Sequence, residues 1–149
     1  MKITIALTCL FCLSQPLLAQ SHCVQAKATF VDVCAGGPAC AGTITQGGIL
    51  NGTTGTVFMG GPTPTPAPST LSFTNELTVT TVRGQFKVEI VTLFDVVTGV
   101  ISGFGSIDPN TSTGAFVGST GLLFFSGKTI SNSPFTFKLD ISGEICLAN

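Results

Sequence analysis

The chain contains no tryptophan and no tyrosine, one histidine, and charged residues at only 9% of its length, where soluble domains average about 25%. Each scarcity excludes something. Lys and Arg number six against seven Asp and Glu, so no basic patch exists to hold phosphate and nucleic acid is not an expected partner. The single histidine, His22, makes a Ser-His-Asp system untenable. Gly118-Ser119-Thr120-Gly121 is one residue short of a Gly-x-Ser-x-Gly elbow and lies between strand patterns rather than before a helix. Gly103-x-Gly105 lacks the third glycine and the helix of a dinucleotide site. The cysteines beyond residue 20, Cys23, Cys34, Cys40 and Cys146, form no Cys-x-x-Cys pair, so with His22 alone no metal set is expected, and no cofactor.

What is present begins with a leader. Lys2 precedes the apolar run from Ile3 to Leu13, which Gln15-Pro16 breaks before Ala19. Residues 1–20 therefore read as a secretory signal peptide, cut after Ala19 or Ser21. The apolar run is shorter than the about 20 residues a membrane span needs. No lipoprotein-type box precedes Cys9, Cys12 or Cys23. The expected location is secreted or periplasmic, with one domain over 21–149. Losing Lys2 leaves five basic against seven acidic residues, a net charge of −2.

Cys9 and Cys12 leave with the leader, and Cys23, Cys34, Cys40 and Cys146 remain. Four cysteines in an exported chain imply two disulfides with three connectivities. Cys34 and Cys40 flank the turn-forming Ala35-Gly36-Gly37-Pro38-Ala39, which brings them together easily. Cys23 with Cys146 then ties the two ends of the domain, and this pairing is preferred.

The mature chain shows strand patterns and no helical period. Val24, Ala26, Ala28 and Phe30 alternate with polar residues, the period of a half-buried strand. Thr43–Leu50 and Thr53–Met59 flank Asn51-Gly52, a strong hairpin signal. Residues 60–70 carry proline at every second position from Pro62 to Pro68 and read as an exposed polyproline connection. Leu71, Phe73, Leu77 and Val79 share one face of the next strand, and Phe86, Val88, Ile90 and Phe94 one face of its partner. Val96–Ile107 carries another strand, bent by Gly103 and Gly105. Asp108–Lys128 combines an Asp-Pro-Asn turn, a positive-φ position at Gly114, a short strand at Ala115–Val117 and a second apolar run from Leu122 to Phe125. Phe135, Phe137, Leu139 and Ile141 then alternate strictly with polar residues. About eight antiparallel strands follow, an all-β chain forming a small closed barrel or, alternatively, a β-sandwich. A barrel of that size is filled by side chains or holds one small ligand.

Gly103-Phe-Gly105-Ser-Ile107-Asp108, Thr113-Gly114-Ala-Phe116-Val-Gly118-Ser-Thr120-Gly121-Leu-Leu-Phe-Phe-Ser-Gly127 and the closing Ser142-Gly-Glu-Ile-Cys146 together resemble the allene oxide cyclase and dirigent barrel-like group, in particular its bacterial secreted members. The resemblance spans about residues 100–146. It implies an eight-stranded antiparallel barrel with an apolar interior, often oligomeric, and in the plant members a cofactor-free cyclisation or a steering of phenoxy-radical coupling. A dirigent-type cavity would use tyrosines, which this chain lacks.

Candidate site residues are few. Asp32, Glu76, Glu89 and Asp140 sit at positions compatible with the solvent face, and Asp108 belongs to its turn. Asp95 and Glu144 lie beside apolar stretches at strand ends and are the candidates for a general acid or base at a barrel mouth. Of the twelve phenylalanines, Phe30, Phe73, Phe86, Phe94, Phe104, Phe116, Phe124, Phe125, Phe135 and Phe137 lie in strand patterns, and most of these supply the core. Of these, Phe86, Phe94, Phe116, Phe135 and Phe137 are the candidates for lining an apolar ligand cavity. Phe124 and Phe125 are adjacent, so one must point outward and offer a surface to a partner or a second copy. Clean core-facing alternation argues against stable membrane insertion. The functional expectation is a non-catalytic binder of a small apolar ligand. The alternatives are a cofactor-free isomerase or coupling guide, and a structural, self-associating envelope protein.

Overall fold

In a computed structural model, which describes residues 22–148, eight strands follow one another around a closed antiparallel barrel. They are β1 (His22–Cys34), β2 (Ala39–Ile44), β3 (Gly52–Pro64), β4 (Thr70–Thr81), β5 (Gly84–Asp95), β6 (Val100–Asp108), β7 (Thr120–Asn132) and β8 (Phe135–Leu147). Each pairs with its neighbour in sequence. The barrel closes along β1 and β8, which pair from His22 opposite Leu147 to Cys34 opposite Phe135. Closure removes the two edges of an open sheet, and ladder partners are missing beside the short β2, where β1 before Phe30 and β3 after Val57 extend past it. The sandwich alternative is thereby set aside. Among the described residues no helix is long and apolar enough to cross a membrane.

Alternation decides which side chains enter the bore. On β8, Phe137, Leu139, Ile141 and Ile145 are buried while Lys138, Asp140, Ser142 and Glu144 are exposed. The same phase places Leu77 and Val79 of β4 and Phe86, Val88 and Ile90 of β5 inside. Both expected disulfides form. Cys23–Cys146 bonds directly opposite residues of β1 and β8, and Cys34–Cys40 closes the β1–β2 loop.

Three local expectations are corrected. Asn51-Gly52 is not the turn of a hairpin, because β2 ends at Ile44 and residues 45–51 instead form a loop with a 3-10 turn at Gly48–Leu50. Asn51 stabilises that loop by accepting the Gly47 N–H on its Oδ1 at 2.6 Å. Ala115–Val117 is likewise no strand, since Gly114–Phe116 forms a second 3-10 turn. Gly114 does take the expected positive φ, +59°, and a Cβ there would lie 2.3 Å from the Arg83 carbonyl oxygen. Finally, the proline-rich segment is in part a strand. β3 continues through Pro64 with register shifts, pairing Thr63 with Ser72 and Pro64 with Leu71, and only residues 65–69 form the connection. Proline tolerates such a place because the ladder there is already irregular.

The two 3-10 turns carry a consequence for the bore. Each drops one side chain into the same end of the barrel: Leu50 from the first and Phe116 from the second, both fully buried. Phe116 packs on Phe86 with ring centroids 4.9 Å apart. With Leu123 and Ile145, also fully buried, they close that end. At the opposite end lie the β1–β2, β3–β4, β5–β6 and β7–β8 connections, none of which contains a buried residue.

Candidate functional site

The open end holds a cavity of about 210 Å³. One side of it is aromatic. Phe30 of β1 meets Phe125 of β7 and Phe137 of β8 edge to face, at centroid distances of 6.4 and 6.1 Å. Such T-shaped contacts match the positive edge of one ring to the negative face of the next. Nearer the rim, Phe58 meets Phe73 at 5.8 Å and Phe94 meets Phe135 at 6.0 Å, again edge to face. These four rings are only partly buried, and the cavity opens between them. Ile101 and Leu139 complete the apolar wall.

The other side is polar and comes from three consecutive strands. Thr56 of β3, Asn75 of β4 and Thr92 of β5 all line the cavity. Asn75 Nδ2 donates to Thr92 Oγ1 at 2.8 Å. Asn75 Oδ1 is buried and meets no donor among the described residues. Thr56 donates its hydroxyl proton away from this pair, to Oδ2 of Asp32 at 2.6 Å, and Thr54 donates to Oδ1 of the same carboxylate.

Asp32 is fully buried, which corrects its expected place on the solvent face. It follows Ala26, Ala28 and Phe30 in the inward phase of β1. Room for it comes from β2: a Cβ on Gly42 would lie 2.3 Å from Asp32 Oδ1 and 1.9 Å from the Val31 carbonyl oxygen. Burial pushes its pKa above the ordinary carboxylate value, against the opposing pull of the Thr54 and Thr56 hydroxyls.

The expected site residues divide between the two ends. Phe94, Phe135 and Phe137 line the cavity. Phe86 and Phe116 do not; they are corrected to the packed plug of the other end. Asp95 stands at the open rim as the last residue of β5. The N–H groups of Thr98 and Val97 donate to its Oδ1 at 3.0 and 2.9 Å, and these hold its pKa below the ordinary value. Its role in this geometry is to fix the β5–β6 turn. Glu144 is exposed on the outer face of β8. Beside it lie Cys23 and Cys146, close enough in space to suggest a metal set, but the two sulfurs are bonded to each other.

The reading of the sequence missed Asp32, Thr56, Asn75 and Thr92. Asp32 and Asn75 each carried a signal, since each continues an apolar inward phase without a break. Phe104, grouped with the core rings, is half exposed. Phe125 points in and Phe124 out, and Phe124, Phe104 and Val91 form one cross-strand row on the outer face of β7, β6 and β5. No family model, no curated protein and no solved structure matches the chain.

Proposed function

We propose that this protein is an exported carrier or receptor that binds one small, mainly apolar molecule in the open end of its barrel. The observation that carries the reading is the contrast within one bore: one end is packed solid by Leu50, Phe86 and Phe116, while the other keeps a phenylalanine-lined cavity of about 210 Å³. Eight-stranded barrels are of the width that either fills or holds one small ligand. Two disulfides and the leader-like residues 1–20 support export. The eight-stranded antiparallel barrel is also the architecture implied by the resemblance of residues 100–146 to the allene oxide cyclase and dirigent barrel-like group, and kinship with that group is part of this proposal.

Native mass spectrometry of the oxidised mature protein tests this. A discrete small adduct, lost on unfolding, is the expected result. Ile101→Phe, which fills the cavity from β6, should abolish the adduct while leaving the fold intact. An adduct that survives in this variant would place the ligand elsewhere and sink the proposal.

A second reading, a cofactor-free isomerase, rests on a different observation. Asp32 is a buried carboxylate whose Thr56 partner lines the cavity, so the Thr56 hydroxyl stands between a bound molecule and a group able to hold a proton. Asp32 and Thr56 thereby replace Glu144 and Asp95 as the acid–base candidates. Turnover of the captured molecule that persists unchanged in Asp32→Asn would dispose of that reading. The self-associating alternative attaches to the Val91, Phe104 and Phe124 row. There, Phe124→Ser should lower the sedimenting mass of any oligomer.

A further inference from the structure

We propose that the cavity selects neutral molecules bearing a hydroxyl or N–H group and rejects carboxylates. The inference deepens the ligand-binding reading and rests on it.

Its starting point is Asn75. β4 turns this side chain inward in phase with Leu77 and Val79, and only 7% of the residue is exposed. The bond from Nδ2 to Thr92 Oγ1 holds the amino end of the amide, so the free end is the carbonyl oxygen, buried and without a donor among the described residues. A buried acceptor left unpaired is costly, and native proteins leave few of them without a partner supplied by water or a ligand. On the neighbouring strand, Thr56 has spent its only hydroxyl proton on Asp32. Thr56 thus has oxygen lone pairs and no proton left to offer a ligand. Two adjacent strands therefore offer acceptors in an otherwise apolar chamber.

Thr92 completes the pattern. Its oxygen accepts from Asn75, which leaves its own proton available. A ligand hydroxyl can donate to Asn75 Oδ1 and accept from Thr92 at once. A carboxylate can only accept. Among the described residues it would meet no cation, since no Lys, Arg or His of these lines the cavity, and the Asp32 carboxyl lies just behind Thr56. Burying an unpaired charge there is prohibitive.

Size narrows the class further. A cavity of about 150 Å³ accepts benzene, so about 210 Å³ accepts a ring with two or three further atoms, packed against Phe125 and Phe137.

Benzyl alcohol, benzyl methyl ether and benzoate form a matched set of probes, titrated into the oxidised, isotope-labelled protein and followed by amide NMR shifts at neutral pH. The alcohol is expected to bind. Asn75→Leu should weaken it about tenfold, the value of one buried hydrogen bond, while leaving the ether unchanged or tighter. Benzoate should produce no shifts. Should Asn75→Leu not fold, Thr92→Val frees the amide to rotate and must erase the preference for alcohol over ether. An equal loss for alcohol and ether, a wild-type preference for the ether, or benzoate bound as well as the alcohol would each overturn the donor rule while keeping the cavity. Failure of both alcohol and ether to bind the wild type would instead overturn the ligand-binding reading itself.

Discussion

The two ends of this barrel are built from the same side chain to opposite effect. Phe86 and Phe116 close one end, fully buried, whereas Phe58, Phe73, Phe94 and Phe135 ring the other and stay partly exposed. Residue type does not separate them. The connections do. At the closed end, residues 45–51 and 109–119 are long enough to fold back, and each lowers an apolar side chain, Leu50 or Phe116, into the bore. At the open end the connections stay short or stiff: the Cys34–Cys40 loop, the turn held by Asp95, and residues 65–69 beside the prolines. A cavity at one end is thus the product of what the loops withhold, since the strands alone leave the open end unfilled.

The disulfides offer the largest test of that asymmetry. Cys23–Cys146 sits at the closed end and joins residues 123 apart, while Cys34–Cys40 sits at the open end and joins residues six apart. In the chain-entropy account the first should stabilise the fold by about 5 kcal/mol and the second by roughly 2–3 kcal/mol. Paired Cys→Ser replacement at each site, followed by guanidinium unfolding, measures both. Equal losses would mean that the closed end owes nothing special to the tie between the chain ends.

Next in size is a direct comparison of rings. Phe116→Ala removes a side chain packed on all sides and should cost about 3–5 kcal/mol. Phe94→Ala at the rim removes a ring that already faces open space and should cost about 1 kcal/mol. Thermal or chemical unfolding of the two variants reads the difference. A rim variant as damaging as the plug variant would show that the open end is packed in solution, and the cavity reading would fall with it.

Much of this architecture is legible in residue order. The alternation of Phe135, Phe137, Leu139 and Ile141 states which side of β8 is inside, and cysteine spacing favours the pairing observed. The division of labour among phenylalanines is not legible, because it depends on loop paths. Phe116 reads as a strand residue when only its apolar neighbours are seen, yet Gly114 with φ +59° starts a 3-10 turn that aims it down the bore. Asn51-Gly52 misleads for a related reason: the dipeptide favours a tight hairpin locally, but Asn51 bonds back to Gly47 and closes a wider loop. Asp32 was readable. Its position in phase with Ala26, Ala28 and Phe30 places it inside, and only the habit of assigning carboxylates to the surface obscures this.

The smallest expected effect comes from that carboxylate, and its sign separates the interior from the rim. Burial raises the folded-state pKa of Asp32 above 3.8. The native state then holds its proton more tightly than the unfolded chain does, so stability from this group is fully present below pH 3.8 and is lost as pH rises through the folded value. Asp95 at the rim runs the other way. Its pKa is lowered by the N–H groups of Thr98 and Val97, so its contribution is present above pH 3.8 and is lost as pH falls through the folded value. The two windows lie on opposite sides of pH 3.8 and can be read apart in one pH series of unfolding midpoints. Asp32→Asn keeps an acceptor for one threonine and turns its amide toward the other, so its stability at acid pH should stay within about 1 kcal/mol of the wild type. Above pH 3.8 the variant should lose the downward slope, so its stability relative to the wild type should rise with pH toward pH 8. A relative stability that instead falls toward pH 8 would mean that Thr54 and Thr56 hold the charged form strongly enough to outweigh burial, and Asp32 would then be an anchor of the barrel wall rather than a proton-holding group beside the cavity.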